Sequence, residues 1–106
     1  MDASEVVLVA TTEAQYQKQI VDLAEACGWY VWHDNDPRRN SAGLPDLLMV
    51  RGPVLLFIEV KTEKGKVSPE QEAFIGRLKQ VKYIHADVVR PRHFEQVAQV
   101  LRSAKR

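Results

Sequence analysis

The chain has 106 residues, 45% of them hydrophobic, and a formal net charge of +1. A chain of this length can bury one hydrophobic core but not two. We therefore expect one domain over residues 1–106, in which residues 1–11 are a short N-terminal extension. A single cysteine without a cysteine–histidine cluster excludes a disulfide framework and a zinc site. No apolar run approaches membrane-spanning length and the start is acidic, so we expect an intracellular protein with no membrane partner.

The first third of the chain predicts a helix, a strand and a loop. Thr12 and Gln15 have the spacing of a capping box, and apolar residues recur at helical intervals until Gly28, which predicts a helix over residues 13–27. Residues 29–33 are aromatic or β-branched, as in a strand. The polar residues that follow, with one proline and a glycine at position 43, predict a loop.

Two apolar runs in the middle of the chain predict a β-hairpin. They cover residues 47–50 and 54–60, and a two-residue turn at Gly52 and Pro53 would join them. This turn would set Asp46 opposite Glu59, with the stems of their carboxylates about 5 Å apart.

The hairpin would carry an acidic site with a lysine beside it. Side chains alternate along a strand, so Glu59 and Lys61 point to one face, and Ile58 and Val60 to the other. Two carboxylates this close repel unless a cation lies between them. Oxygen ligands without a nearby histidine or cysteine favour Mg²⁺, for which Mn²⁺ can substitute.

The last third predicts a helix, a strand and a helix. Ser68 suits an N-cap, Pro69 the first helical position and Gln71 the third, so capping alone explains this glutamine. Residues 83–89 resemble a fourth strand, and apolar residues at 94, 97, 98 and 101 mark an amphipathic last helix. The predicted order is α-β-β-β-α-β-α.

The spaced motifs match a known family. Pro-Asp, an apolar gap and Glu-Val-Lys resemble the signature of PD-(D/E)XK nucleases. The sequence also resembles the VRR-NUC branch of this superfamily, in the small stand-alone form found in phages and prophages. Three motifs carry this resemblance: G-L-P-D at 43–46, E-V-K-T at 59–62 and S-P-E-Q at 68–71. The resemblance runs from about Thr12 to the end. It implies an α/β fold with a restriction-endonuclease-like core, in which helices flank a mixed four-stranded sheet. It also implies a protein located in the cytoplasm of a bacterial cell or of a phage-infected host.

The resemblance also implies roles for two residues that have simpler explanations. Glu13 suits a helix N-terminus through the macrodipole, but VRR-NUC proteins place a metal-site glutamate in this helix. Gln71 caps a helix, but in the family a glutamine here lies beside the lysine of the motif. The expected catalytic residues are Asp46, Glu59, Lys61, Glu13 and Gln71. The expected ligands of Mg²⁺ are Asp46, Glu59, the backbone carbonyl of Val60, and Glu13. No small-molecule cofactor is expected.

Basic residues around this site are candidates for contact with phosphates. We expect Arg38, Arg39, Lys64 and Lys66 to contact DNA, and Arg90 with Arg92 is a further candidate pair, although each is also explained as a solvated surface charge.

The expected function is a metal-dependent endonuclease that hydrolyses phosphodiester bonds in four-way junctions or other branched or flapped DNA. A junction needs two matched nicks, which predicts a homodimer. The interface between the two protomers would be formed by the last helix or by exposed aromatic residues among Trp29, Tyr30, Trp32 and Tyr83. Two alternatives are a nuclease fold without activity that binds DNA or assembles complexes, and a surface ion-pair cluster on an unrelated α/β domain.

Overall fold

The computed structural model describes residues 12–33 and 43–103, which form a four-stranded sheet flanked by three α-helices. The helices are α1 (Glu13–Ala26), α2 (Pro69–Leu78) and α3 (Phe94–Ser103), the last preceded by a 3₁₀ turn (Pro91–His93). The strands are β1 (Tyr30–His33), β2 (Leu47–Arg51), β3 (Val54–Val60) and β4 (Ile84–Val89). Within the described residues, no helix is long and apolar enough to span a membrane.

The sheet is mixed, as predicted. Its order is β1-β2-β3-β4; the first two pairs are antiparallel, and β3 pairs with β4 in parallel. The parallel pair requires a crossover, and α2 supplies it. The predicted fold class is therefore confirmed.

The central hairpin has the predicted turn and register. Arg51 pairs with Val54, which leaves Gly52 and Pro53 as the two-residue turn, and Gly52 has a φ of 56°. A positive φ is what such a hairpin turn requires and glycine adopts it without strain. The pairing ends with Leu47 opposite Ile58, so the next residue of β2's chain, Asp46, lies opposite Glu59.

The two faces of the sheet are covered differently. Helices α1 and α3 pack on the face that carries Leu47, Met49 and Val60, and they form the hydrophobic core there. Helix α2 lies on the opposite face, where its Ile75 is buried. Because side chains alternate along β3, Glu59 points to the α2 face, away from the core.

Local signals place the helix starts, and small differences remain at other ends. Both predicted capping boxes are formed, Thr12 with Gln15 and Ser68 with Gln71. Helix α1 ends one residue earlier than predicted, with Cys27 as its C-cap. Strand β4 begins at Ile84 because Tyr83 has a φ of 70°, a conformation outside the extended range of a strand.

Candidate active site

Asp46 is held at the end of β2 by the backbone of β3. Its Oδ2 accepts a hydrogen bond of 3.0 Å from the N–H of Val60. In a strand the N–H and C=O of one residue point toward the same neighbouring strand, so the Val60 carbonyl is also directed toward Asp46. The predicted pair of a carboxylate and a backbone carbonyl thus lies at one end of the two central strands.

Glu59 is the buried carboxylate of the site, with an exposed fraction of 1%. Its Oε2 accepts a hydrogen bond of 2.8 Å from Gln71 Nε2 and lies 3.4 Å from Lys61 Nζ. Its Oε1 is buried and has no hydrogen-bond partner, which singles it out among the buried side-chain atoms that the structure describes. A buried acceptor without a partner costs about 1–3 kcal/mol, so this oxygen is the atom of the site that would gain most from a ligand.

The surroundings of Glu59 raise its pKa to about 7. Burial of the carboxylate is the largest cause, the nearby charge of Asp46 adds to it, and the Lys61 ammonium opposes it. The site thus concentrates negative charge that one lysine compensates only in part, an arrangement that favours a cation.

Gln71 caps α2 and contacts the site at the same time. Its Oε1 accepts from the Ser68 N–H at 2.9 Å, while its Nε2 donates to Glu59. The capping box therefore fixes the side chain that orients the Glu59 carboxylate, so the capping explanation and the site explanation both apply to this residue.

Glu13 lies in the first turn of α1, half-buried and close to the same charges. Its pKa is raised, first by burial and then by Asp46, and Lys61 opposes the shift. In the described part of the chain, however, no three side chains of His, Cys, Asp or Glu converge closely enough to hold a metal ion. Glu13 as a third ligand therefore stays a prediction, whereas the strand register sets Asp46 opposite Glu59.

Gly43 lets the chain enter the site against α2. It has a φ of 90°, and a Cβ at this position would overlap the backbone carbonyl of Glu70 in the first turn of α2. A side chain is thus excluded both by the positive φ and by the close approach. The motif G-L-P-D begins with glycine for this reason, which its spacing along the sequence does not reveal.

Arg90 holds the turn that follows Lys61. Its guanidinium Nη1 donates to three backbone carbonyls, those of Thr62 at 2.6 Å, Glu63 at 3.3 Å and Gly65 at 2.6 Å. The Arg90 carbonyl in turn accepts from the Tyr16 hydroxyl at 2.7 Å, which ties this turn to α1.

The neighbouring Arg92 has a similar internal role. Both its backbone N–H and its guanidinium donate to the Glu63 carboxylate, at 2.6 and 2.8 Å. Arg90 and Arg92 thus have a structural role in this turn, and their contact with phosphates stays a prediction. Lys64 and Lys66 on this turn are exposed, as the prediction requires, whereas Arg38 and Arg39 lie outside the described residues.

Comparisons with known proteins agree with this architecture. The model of the VRR-NUC domain family matches residues 3–91. Among solved structures, the chain is similar to a VRR_NUC domain at 31% sequence identity and a TM-score of 0.63, over 91% of this chain and 100% of that one. No curated protein matches the chain. The predicted family is confirmed: the chain belongs to the VRR-NUC domain family and forms a nuclease-type domain.

Proposed function

We propose that this domain is a metal-dependent DNA endonuclease that cuts branched DNA. The observation that carries the proposal is the buried, unpartnered Oε1 of Glu59 next to Asp46. A carboxylate oxygen that is buried beside a second acid suits a small divalent cation better than any group of the protein itself.

The residues fit Mg²⁺ even though three acids do not converge. Mg²⁺ commonly keeps several water ligands and takes one or two carboxylates from the protein. Asp46 and Glu59 would supply those carboxylates, and the Val60 carbonyl would complete the protein ligands. Glu13, half-buried beside Asp46, would act from slightly farther away, on water around the ion.

Each side chain of the site has a place in phosphodiester hydrolysis. The ion, when bound, would polarise the phosphate and make water a better nucleophile. Lys61 keeps its ammonium 3.4 Å from Glu59 Oε2 with only 14% of its side chain exposed, so it is held where it can stabilise the negative charge that develops on the phosphate. Gln71 and Lys61 both fix the orientation of the Glu59 carboxylate.

The preference for branched DNA is inferred from how the site is surrounded. Lys64 and Lys66 are exposed on the turn after Lys61, where they suit phosphates rather than base edges. Contacts with phosphates do not distinguish one base sequence from another, so the site of cutting should depend on the shape of the DNA. Four-way junctions would then require two sites, which a homodimer provides.

The test uses labelled linear, flap and four-way DNA with Mg²⁺, Mn²⁺ or EDTA. We expect cutting with either metal ion, none with EDTA, and a preference for the branched substrates. Asp46→Ala, Glu59→Ala and Lys61→Ala should each abolish most cutting while circular dichroism shows a folded protein. Glu95→Gln, which removes one exposed acid of α3, is the matched control and should cut like the wild type.

Two outcomes would contradict the proposal in different ways. Near-normal cutting by any of the three site variants would remove the mechanism. Binding of branched DNA without cutting under every metal condition would instead favour a nuclease fold that acts as a binding module. Light scattering at micromolar concentration tests the dimer independently of both.

A further inference from the structure

Exposed apolar side chains form a strip on the edge strand β1 and its neighbour β2. Tyr30 is 70% exposed, Trp32 is 42% exposed and Val50, which pairs with Tyr30, is 37% exposed. We call these three residues the aromatic strip. They are half of the six large apolar side chains that are exposed in the described residues, and no other two of the six pair across strands.

The strip shares its face of the sheet with the acidic site. Trp32 pairs with Leu48, and alternation along β2 puts Leu48 on the same face as Asp46. Helix α2 covers this face on the side of β4, where Ile75 and Ala86 are buried. Of the described helices none covers the half of this face formed by β1 and β2, where Tyr30, Trp32 and Val50 are exposed on the side of the two carboxylates.

The spacing along the strands leads from the strip to the acids. Two residues of a strand span about 7 Å and neighbouring strands lie about 4.8 Å apart. The backbone of Trp32 is thus about 8 Å from that of Asp46, and Tyr30 lies about 14 Å away on the same line. Lys61 and the turn that follows it lie farther along the same direction, beyond Asp46 and Glu59.

We propose that the aromatic strip is a stacking platform for unpaired nucleotides of the DNA that is cut. This inference rests on the proposed nuclease function and names its substrate class, DNA with a single-stranded segment beside the scissile phosphate. Aromatic rings stack on any base, so the platform adds affinity without sequence preference. A phosphate at the acids would place the next bases over Trp32 and then Tyr30, with Lys64 and Lys66 on the backbone at the other side.

A second copy of the chain is a less suitable occupant of the strip. Two-fold pairing of this face about an axis along the strip would bring Asp46 and Glu59 of both copies toward each other, and like charges would repel. A pairing that extends as far as the acids would also cover the carboxylates that DNA has to reach. In a polynucleotide, by contrast, the bases can stack on the aromatic rings while the phosphates contact the cationic groups.

Intrinsic fluorescence gives a direct measurement. Of the two tryptophans, Trp29 is buried, with its Nε1 bonded to the Leu101 carbonyl, and only Trp32 can stack on a base. In EDTA, a short oligothymidylate should quench the wild-type protein. Trp32→Phe should lose most of the quenching but keep most of the affinity, because phenylalanine still stacks.

Affinities measured by anisotropy with labelled oligothymidylate complete the test. Trp32→Ala and Tyr30→Ala should each weaken binding about 5- to 150-fold, and weaken duplex binding much less. The matched control is Tyr83→Ala, which removes a tyrosine that is 86% exposed before β4, at the other end of the sheet from the acids, and should bind normally.

Two results would overturn the platform. One is unchanged affinity for oligothymidylate in folded Trp32→Ala and Tyr30→Ala, together with no quenching of the wild type. The other is a dimer that these variants convert to monomers while the affinity per protomer stays the same, since the strip would then pair two copies. Neither result affects the nuclease proposal, which depends on the loss of cutting in Asp46→Ala.

Discussion

The buried Glu59 carboxylate should make the stability of the metal-free protein depend on pH. The pKa of this group is about 7 in the folded protein, against 4.5 for an ordinary glutamate. Between these values the folded state binds more protons than the unfolded state, so the free energy of unfolding falls as the pH rises from about 4.5 to 7 and levels off above that. One pKa unit corresponds to about 1.4 kcal/mol, so a difference of about 2.5 units corresponds to a loss of at most roughly 3 to 4 kcal/mol.

Urea unfolding in EDTA between about pH 5 and 8 measures this effect. The wild type should lose stability across the range relative to Glu59→Gln, which cannot ionise but can still accept from Gln71. Glu95→Gln again serves as the control for a lost surface acid and should follow the wild type. Parallel profiles for the wild type and Glu59→Gln would refute the assignment of a buried carboxylate with a raised pKa at this position.

Three further predictions follow from the contacts around the site. Gln71→Glu keeps an acceptor for the Ser68 N–H but sets a second carboxylate against Glu59, so it should lower the cutting rate more than Gln71→Ala, while thermal unfolding shows it to be the more stable of the two. Arg90→Ala should destabilise the protein by about 2 kcal/mol in urea and slow cutting, and Arg90→Lys should recover little, because lysine lacks the planar fork of donors. Lys64→Ala and Lys66→Ala should each flatten the salt dependence of DNA affinity by about one unit; an unchanged slope would place that lysine off the DNA.

The elements that the sequence predicts well are those set by neighbouring residues. Capping at Thr12 and Ser68 depends on side chains three positions away, and the turn at Gly52 and Pro53 sets the register of the whole hairpin. From that register the meeting of Asp46 with Glu59 follows, because strand pairing propagates residue by residue. The core of the site was therefore predictable without knowledge of the tertiary fold.

The supporting contacts of the site depend on segments that are distant in the chain. Arg90 reaches carbonyls 25 to 28 residues away, and Tyr16 reaches the Arg90 carbonyl across 74 residues. An arginine in a sequence gives no sign of whether its donors meet phosphates or carbonyls of its own chain. Only the packing of the β3–α2 turn against the end of β4 decides this.

Gln71 shows why two explanations of one residue need not compete. A capping box requires an acceptor on this side chain, whereas the site requires a donor, and an amide has both at opposite ends. Glutamate would satisfy the cap alone and would repel Glu59. Glutamine at the third position of α2 therefore joins the start of the helix to the orientation of the carboxylate, so that a local stability signal and a functional contact reside in the same side chain.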